Sequence, residues 1–325
     1  MMHYILVALI VVVACFSNAI VYGTPAPSTY WLSLSADSSG QFVVGVSFTG
    51  VYVSSNFGVD WKLSLNCSSL SVVKSSASGQ QVVMVSGMTT TDKCGPVLFS
   101  NDYGNTWISS SIPRGKLSTL KDVSIDGTGQ HVATFSYATG NGQNDVFVSA
   151  DGGNTFMEVN RTDIINLGSI AMAKSNGNVI LGQSLGGLFY STDYGATFQP
   201  NTKLLTDNWF GLSCCDTCSL VAASKGTDIA ISIDSGLSWI PASTLPKASG
   251  YVVHVASSGK IIYAAAAHQS IFKSTNSGVT WTAIGPHSPL TSWTSIVSDA
   301  SGQYVYASVS NGGIYRSVDF GTTWN

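Results

Sequence analysis

One eight-residue pattern, Ser-x-Asp-x-Gly-x-Thr-Trp, occurs in seven copies and limits what this chain can become. The copies run from Ser54 to Trp61, Ser100 to Trp107, Ser149 to Phe156, Ser191 to Phe198, Ser232 to Trp239, Ser274 to Trp281 and Ser317 to Trp324. Their closing aromatics follow one another at steps of 46, 49, 42, 41, 42 and 43 residues. A period of this length marks a repeat architecture, in which each unit buries its apolar face on its neighbours. A length of 325 residues alone suggests about two domains; the unbroken period argues for a single closed ring.

The motif reads as a tight turn between two strands. Its short carboxylate can accept N–H groups of the turn, its Gly supplies positive φ, and its aromatic anchors the next strand. Alternation and turn residues mark the other strands of each unit. In the first unit Trp31 to Ser35 is the innermost strand, Ala36 to Gln41 its turn, Phe42 to Ser47 the second strand, Val51 to Ser54 the third, and Trp61 opens the fourth. The first turn has its own signature, Ser-Gly-Gln at 39–41, 78–80 and 301–303, varied as Thr128-Gly129-Gln130 and Ser258-Gly259-Lys260. Apolar second strands follow, as at Val82 to Val85, Val179 to Gly182 and Ile261 to Ala265. No segment has helical periodicity. The expectation is an all-β chain, a seven-bladed β-propeller of four-stranded blades.

The seven copies resemble the Asp-box, or BNR repeat, of sialidases, sortilin-type receptors, xyloglucan-cleaving glycosidases and photosystem II assembly factors of the Ycf48 type. The resemblance covers nearly the whole chain after residue 30. It implies that the box residues Asn56, Asp102, Asp151, Asp193, Asp234, Asn276 and Asp319 are structural, set at the blade periphery away from the ligand face. A sialidase needs an arginine triad, a Phe-Arg-Ile-Pro type motif and a Tyr/Glu pair on a six-bladed ring. Here no arginine precedes the first box, and Ile112-Pro113-Arg114 has the right letters in the wrong order. The xyloglucan-cleaving enzymes set two carboxylates across a cleft, as general acid and base, between two seven-bladed propellers; this chain has repeats for one.

Most acids have local roles. Five lie in boxes, Asp60 lies in the first, degenerate box, and Asp37, Asp126, Asp216 and Asp299 lie in hairpin turns. Asp163 and Asp207, in successive inter-blade loops, are the candidate catalytic pair, against their reading as solvated loop caps. The assembly factors present an arginine-rich patch, which Arg114, Arg161 and Arg316 do not make.

Charged residues are 10% of the chain with a formal net charge of −3, against about 25% charged residues in an average domain. That balance disfavours nucleic acid, whose phosphates need clustered Lys and Arg. Tyr4 to Phe16 is an apolar run of signal-peptide size, shorter than a membrane span. The expectation is a signal peptide over 1–19 and a secreted propeller over 20–325, with no transmembrane span after cleavage. An uncleaved anchor, or a lipoprotein through Val12-Val13-Ala14-Cys15, is the alternative. The spacing from Tyr22 to Trp31 equals that from Ile284 to Trp293, and the chain stops at Asn325, one residue past the last box. Residues 20–22 are therefore expected to complete the seventh blade and remove its exposed edge.

Cys67, Cys94, Cys214, Cys215 and Cys218 follow the leader and fit an oxidising compartment without a zinc motif. Cys67 and Cys94 lie in connections that should open on one face of neighbouring blades, so they are expected to pair. Cys214 and Cys218 could staple the first turn of blade five, which leaves Cys215 odd. Sequons stand at Asn66-Cys67-Ser68 and Asn160-Arg161-Thr162. No metal or cofactor motif is evident.

The functional expectation is a monomeric, non-catalytic module binding a glycan or an extracellular protein, with a glycoside hydrolase or an assembly-factor-like scaffold as the alternatives. Inter-blade loops and second-to-third-strand loops should share one face at the channel mouth. Trp31, Trp209 and Trp293 each stand nine residues before the same turn position, which makes them the candidate aromatic rim, against a reading as inter-blade packing.

Overall fold

The computed structural model describes residues 25–86, 94–110, 112, 119–136, 143–161, 163–184, 186–201, 208–242, 244–248, 250–286 and 292–325. It is a seven-bladed β-propeller with no helix among these residues. Six blades are four-stranded antiparallel meanders, and the seventh has three strands, Trp293–Ser298, Val305–Val309 and Ile314–Ser317. Blade 1 shows the common plan: Trp31–Ala36 innermost, then Val43–Ser47, Gly50–Ser54 and Lys62–Leu65. Each innermost strand packs on the next, and Trp31–Ala36 packs on Trp293–Ser298, so the ring is closed.

The strand order explains the repeat. Blades cover one another with seven apolar clusters, one per blade interface, and each takes in one box aromatic. The aromatic always faces the preceding blade: Phe156 of blade 3 packs with Val83, Val85 and Val97 of blade 2, and Phe198 of blade 4 with Ala133, Phe135 and Val148 of blade 3. A sheet with two apolar faces cannot stay in water alone, so burying both faces requires neighbours on both sides.

The box sets that aromatic. In the second box the buried Ser100 hydroxyl accepts the Gly104 N–H at 2.9 Å and donates to Asp102 Oδ1 at 2.8 Å. Asp102 Oδ1 accepts the Thr106 N–H at 2.8 Å and its Oδ2 the Thr106 hydroxyl at 2.7 Å. These hydrogen bonds hold the carboxyl below its usual range, although burial acts first and in the other direction. Gly104 sits at φ 77°, and a Cβ there would lie 2.9 Å from Val53 of the preceding blade. Asn276 keeps the same bonds without the charge: its Oδ1 accepts the Thr280 N–H at 2.9 Å and its Nδ2 donates to the Thr280 hydroxyl at 2.8 Å.

Backbone hydrogen bonds close the ring. The first turns of all seven blades are linked by backbone hydrogen bonds in a circle: Ser38 to Ala77 (2.8 Å), Ala77 to Gly127 (2.9 Å), Gly127 to Lys174 (2.8 Å), Ser175 to Asp216 (3.1 Å), Asp216 to Ser257 (2.9 Å), Ser258 to Ala300 (2.9 Å) and Ala300 to Ser38 (3.0 Å). Thr29 and Gly312 also exchange two hydrogen bonds at 3.1 and 3.2 Å, joining the start of the described chain to blade 7. Asn325 pairs with Arg316 at 2.9 and 3.0 Å, where a fourth strand of blade 7 would begin. The strand expected from residues 20–22, like the signal peptide, lies outside the described residues.

Asp102→Asn, which copies the Asn276 box, leaves stability within about 0.5 kcal/mol of wild type in urea unfolding, whereas Asp102→Ala costs about 1 kcal/mol. Gly127→Val drives a Cβ to 2.6 Å from the Lys174 carbonyl oxygen that Gly127 itself bonds, and loses about 1 to 3 kcal/mol in the same assay.

Candidate functional site

The seven innermost strands wall an axial channel, and their outward N–H groups have no further strand to pair with. Hydroxyls of the preceding blade take them instead. Leu34 N–H bonds Ser295 Oγ at 3.1 Å, Leu212 N–H bonds Ser169 Oγ at 2.9 Å, Met172 N–H bonds Ser124 Oγ at 3.0 Å and Val255 N–H bonds Ser213 Oγ at 2.9 Å. In blade 3 a carboxylate replaces the hydroxyl. Asp122 Oδ2 accepts the Ile170 N–H and the Ser169 hydroxyl, both at 3.1 Å, and Oδ1 accepts the Val123 N–H at 2.8 Å. Burial pushes the Asp122 carboxyl up, with Lys74 and these bonds acting against it.

The channel has two parts. Where the inter-blade loops emerge it opens into a cavity of about 520 Å³, lined by Lys74, Lys121, Asp122, Phe210, Tyr251 and His254 among others. Toward the hairpin turns it narrows to about 100 Å³, around Lys74, Lys174, Ser124, Ser213 and His254. At the mouth, burial lowers the Lys121 ammonium, with Asp122 opposing. The Tyr251 hydroxyl donates to the Pro246 carbonyl at 2.7 Å, and burial pushes this phenol up to about 12. Phe210 stands half exposed on the rim.

His254 bridges the two parts. The Ser298 hydroxyl donates to the Asp299 carbonyl at 2.9 Å, so it can only accept from His254 Nε2, 3.0 Å away. That assigns the neutral Nε2–H tautomer. Burial first, then the charges of Lys74 and Lys174, push this imidazole down to about 3.

No protein-family profile matches the chain. No curated protein is similar to it in sequence. Solved structures do share its fold. An ancestral GH74 enzyme superposes with a TM-score of 0.63 at 16% identity, over 90% of this chain and 45% of that one. YCF48 bound to a D1 peptide superposes with a TM-score of 0.64 at 14% identity, over 91% of this chain and 95% of that one. YCF48 from Cyanidioschyzon merolae gives 0.63 at 13% identity, over 91% and 97%. At such identities the likeness is one of fold, and the chain spans about half the length of the GH74 enzyme.

The sequence-derived candidates fall into place unevenly. Trp31, Trp209 and Trp293 are buried, with relative exposures of 0%, 1% and 4%, so they do not form the expected rim. Trp31 packs against Tyr52 and Trp61, Trp209 against Trp239, and Trp293 against Tyr315. In blades 1 and 7 the cause is a bulge between residues 31 and 33 and between 293 and 295, which shifts the alternation by one residue and turns the indole into the interface. The aromatics that do face the loop end are neighbours in sequence: Phe210, and Phe48 stacked on Tyr30 at 4.7 Å.

Asp163 is exposed but held by Arg161, whose Nε donates to Oδ1 at 2.8 Å. This ion pair lowers the Asp163 carboxyl, the opposite of what a general acid requires. Asp207 lies outside the described residues. Cys67 pairs with Cys94 and Cys214 with Cys218. Cys215, the free thiol, occupies the turn position that Asp37 holds in blade 1: its Sγ accepts the Leu220 N–H at 3.3 Å, as Asp37 Oδ1 accepts the Phe42 N–H at 2.9 Å. Among the described residues no three His, Cys, Asp or Glu side chains converge on a metal position. The box carboxylates, by contrast, accept their bonds from serine and threonine groups of their own turns. The box turns also bond the first hairpin turns, as Phe57 N–H to Gln41 O at 3.0 Å and Tyr103 N–H to Gln80 O at 3.0 Å, so they sit at the end opposite the mouth.

His254 sets a pH dependence. Its folded pKa lies below the unfolded value of about 6.5, so its contribution to stability is complete above that pH and is lost as pH falls toward about 3. Urea unfolding at pH 7 and pH 4.5 should show wild type losing about 2 to 3 kcal/mol to this group over that interval, a loss that His254→Gln removes.

Proposed function

We propose that the chain is a secreted binding propeller that receives a segment of a partner protein at the channel mouth and carries out no reaction there. The observation that carries this reading is the make-up of the mouth cavity: Lys74, Lys121 and serine hydroxyls in the wall, an exposed Phe210 on the rim, and one carboxylate, Asp122, already committed to three hydrogen bonds. Hydrolysis of a glycosidic bond needs two carboxylates facing each other roughly 5 to 9.5 Å apart. Among the described residues that line the mouth, Asp122 has no such companion. A pocket of donors with an apolar edge suits an extended peptide, whose carbonyls accept and whose side chains cover the ring. YCF48, a propeller of the same fold and nearly the same span, is known with a D1 peptide bound. Two disulfides support export to an oxidising compartment.

A glycan is the second reading, favoured by the exposed Phe48 ring stacked on the half-buried Tyr30, since flat aromatic faces suit sugar rings. Residues 20–325 applied in parallel to a peptide array and a glycan array decide between them. Peptide binding that Phe210→Ser weakens ten-fold or more, with Phe48→Ser neutral, is the expected result. Glycan binding abolished by Phe48→Ser overturns it in favour of the second reading, and turnover of any polysaccharide that Asp163→Asn or Asp207→Asn removes would revive the glycosidase.

A further inference from the structure

The narrow half of the channel is rich in donors and poor in acceptors. Lys74 and Lys174 both line it. Lys174 donates to the carbonyls of Ser75 at 2.7 Å and Ile125 at 3.3 Å, which leaves one of its three protons. The Lys74 ammonium makes no hydrogen bond among the described residues and faces both parts of the channel. Ser124 and Ser213 each use their oxygen to accept a backbone N–H of the next blade, so their O–H protons are free for another acceptor. The carboxylate in this wall, Asp37, is already saturated by the Phe42 N–H at 2.9 Å and the Ser39 hydroxyl at 2.6 Å.

Two ammonium groups, Lys74 and Lys174, share this half with one lining carboxylate, Asp37. Burial and the nearby Lys74 lower the Lys174 ammonium to about 8, against the pull of Asp126 and Asp216. Both lysines act on His254, which stays neutral. Two ammonium groups converging in a confined space cost free energy that a bound negative charge offsets.

We propose that the narrow half of the axial channel is a binding site for a small oxyanion, held by the ammonium groups of Lys74 and Lys174 and by the hydroxyls of Ser124 and Ser213. Sulfate, phosphate and a peptide carboxylate share the required chemistry, three or more oxygen lone pairs around one negative centre. The site is distinct from the rim at Phe210 and does not depend on what the mouth receives.

The test is isothermal titration of the full chain with sodium sulfate, sodium phosphate, and triglycine as free acid and as amide, at constant ionic strength in a chloride background. One saturable site per chain is expected. Its affinity should fall ten-fold or more in Lys74→Met and in Lys174→Met, and be unchanged in Lys260→Met, which removes an exposed lysine outside the channel, and in Phe210→Ser. Binding of the inorganic ions assigns a free oxyanion; binding of triglycine acid alone, with its amide inert, assigns a chain carboxylate. No saturable binding by any of them, or equal binding by wild type and Lys74→Met, overturns the proposal. If either methionine variant fails to fold by circular dichroism, crystals of the wild type soaked in selenate replace it. An anomalous peak between Lys74 and Lys174 supports the site, and water alone in the channel overturns it.

Discussion

The circle of backbone hydrogen bonds through the seven first turns is the constraint on which the rest of the molecule depends. Each bond joins blades that are about 40 residues apart along the chain, and the last one, Ala300 to Ser38, joins its two ends. Six of them need only two consecutive blades, whereas the Ala300 to Ser38 bond forms only when the whole ring is closed, so the long-range cost in loop closure falls on that one contact. With the turns fixed to one another, the innermost strands stand at a set distance. Hydroxyls then reach the N–H groups of the next blade, and a wall of serines results. The apolar interfaces supply the driving force, and the circle sets the radius.

That geometry accounts for the chemistry of the channel. A wall position that must accept a neighbour's N–H takes Ser most often, and Asp122 is the same solution with a charge. Positions that need not accept are free to vary, and there the chain carries Lys74 and His254. The lysines raise the cost of protonating His254 and favour the ionised form of Asp122. Three lysines, Lys74, Lys121 and Lys174, line the axis with two carboxylates, Asp37 and Asp122, and burial pushes Asp122 toward its neutral form, so the axis carries a positive excess in a chain whose formal charge is −3. Field lines concentrate in a cleft with low-dielectric walls, so acidic groups are drawn inward there although the whole chain is weakly acidic.

What could be read from the sequence follows from how local each feature is. The box is a self-contained turn: Ser100, Asp102, Gly104 and Thr106 bond one another within seven residues, so its letters appear wherever the turn does, and counting them counts the blades. The pairing of Cys67 with Cys94 was legible because blade boundaries place both residues in adjacent connections. The channel was not legible in this way. Lys74 and Asp122 belong to no motif, and whether a strand residue faces the axis or the neighbouring blade depends on its register. The bulges after Trp31 and Trp293 change that register by one, so the nine-residue spacing to the turn placed the indoles at the strand starts without saying which way they face, and they lie in the interfaces. The available signal was the adjacent residue: beside a buried Trp209, alternation turns Phe210 outward.

The same reasoning separates the two ends of the propeller by what each can afford to vary. The turn end holds the circle, the boxes and the Cys214–Cys218 staple, with side chains such as Asp37 and Asp102 bonded within their own turns and backbone groups bonded from turn to turn. A substitution at that end strains closure, as Gly127 illustrates with a Cβ 2.6 Å from a neighbouring carbonyl. At the mouth the described connections are held by separate pairs, Thr29 with Gly312, Asn166 with Ser184 and Arg161 with Asp163, in place of the seven-membered circle of the turn end. The proposed binding is therefore placed at the mouth, over a channel wall of serine hydroxyls and lysines that the innermost strands set in place.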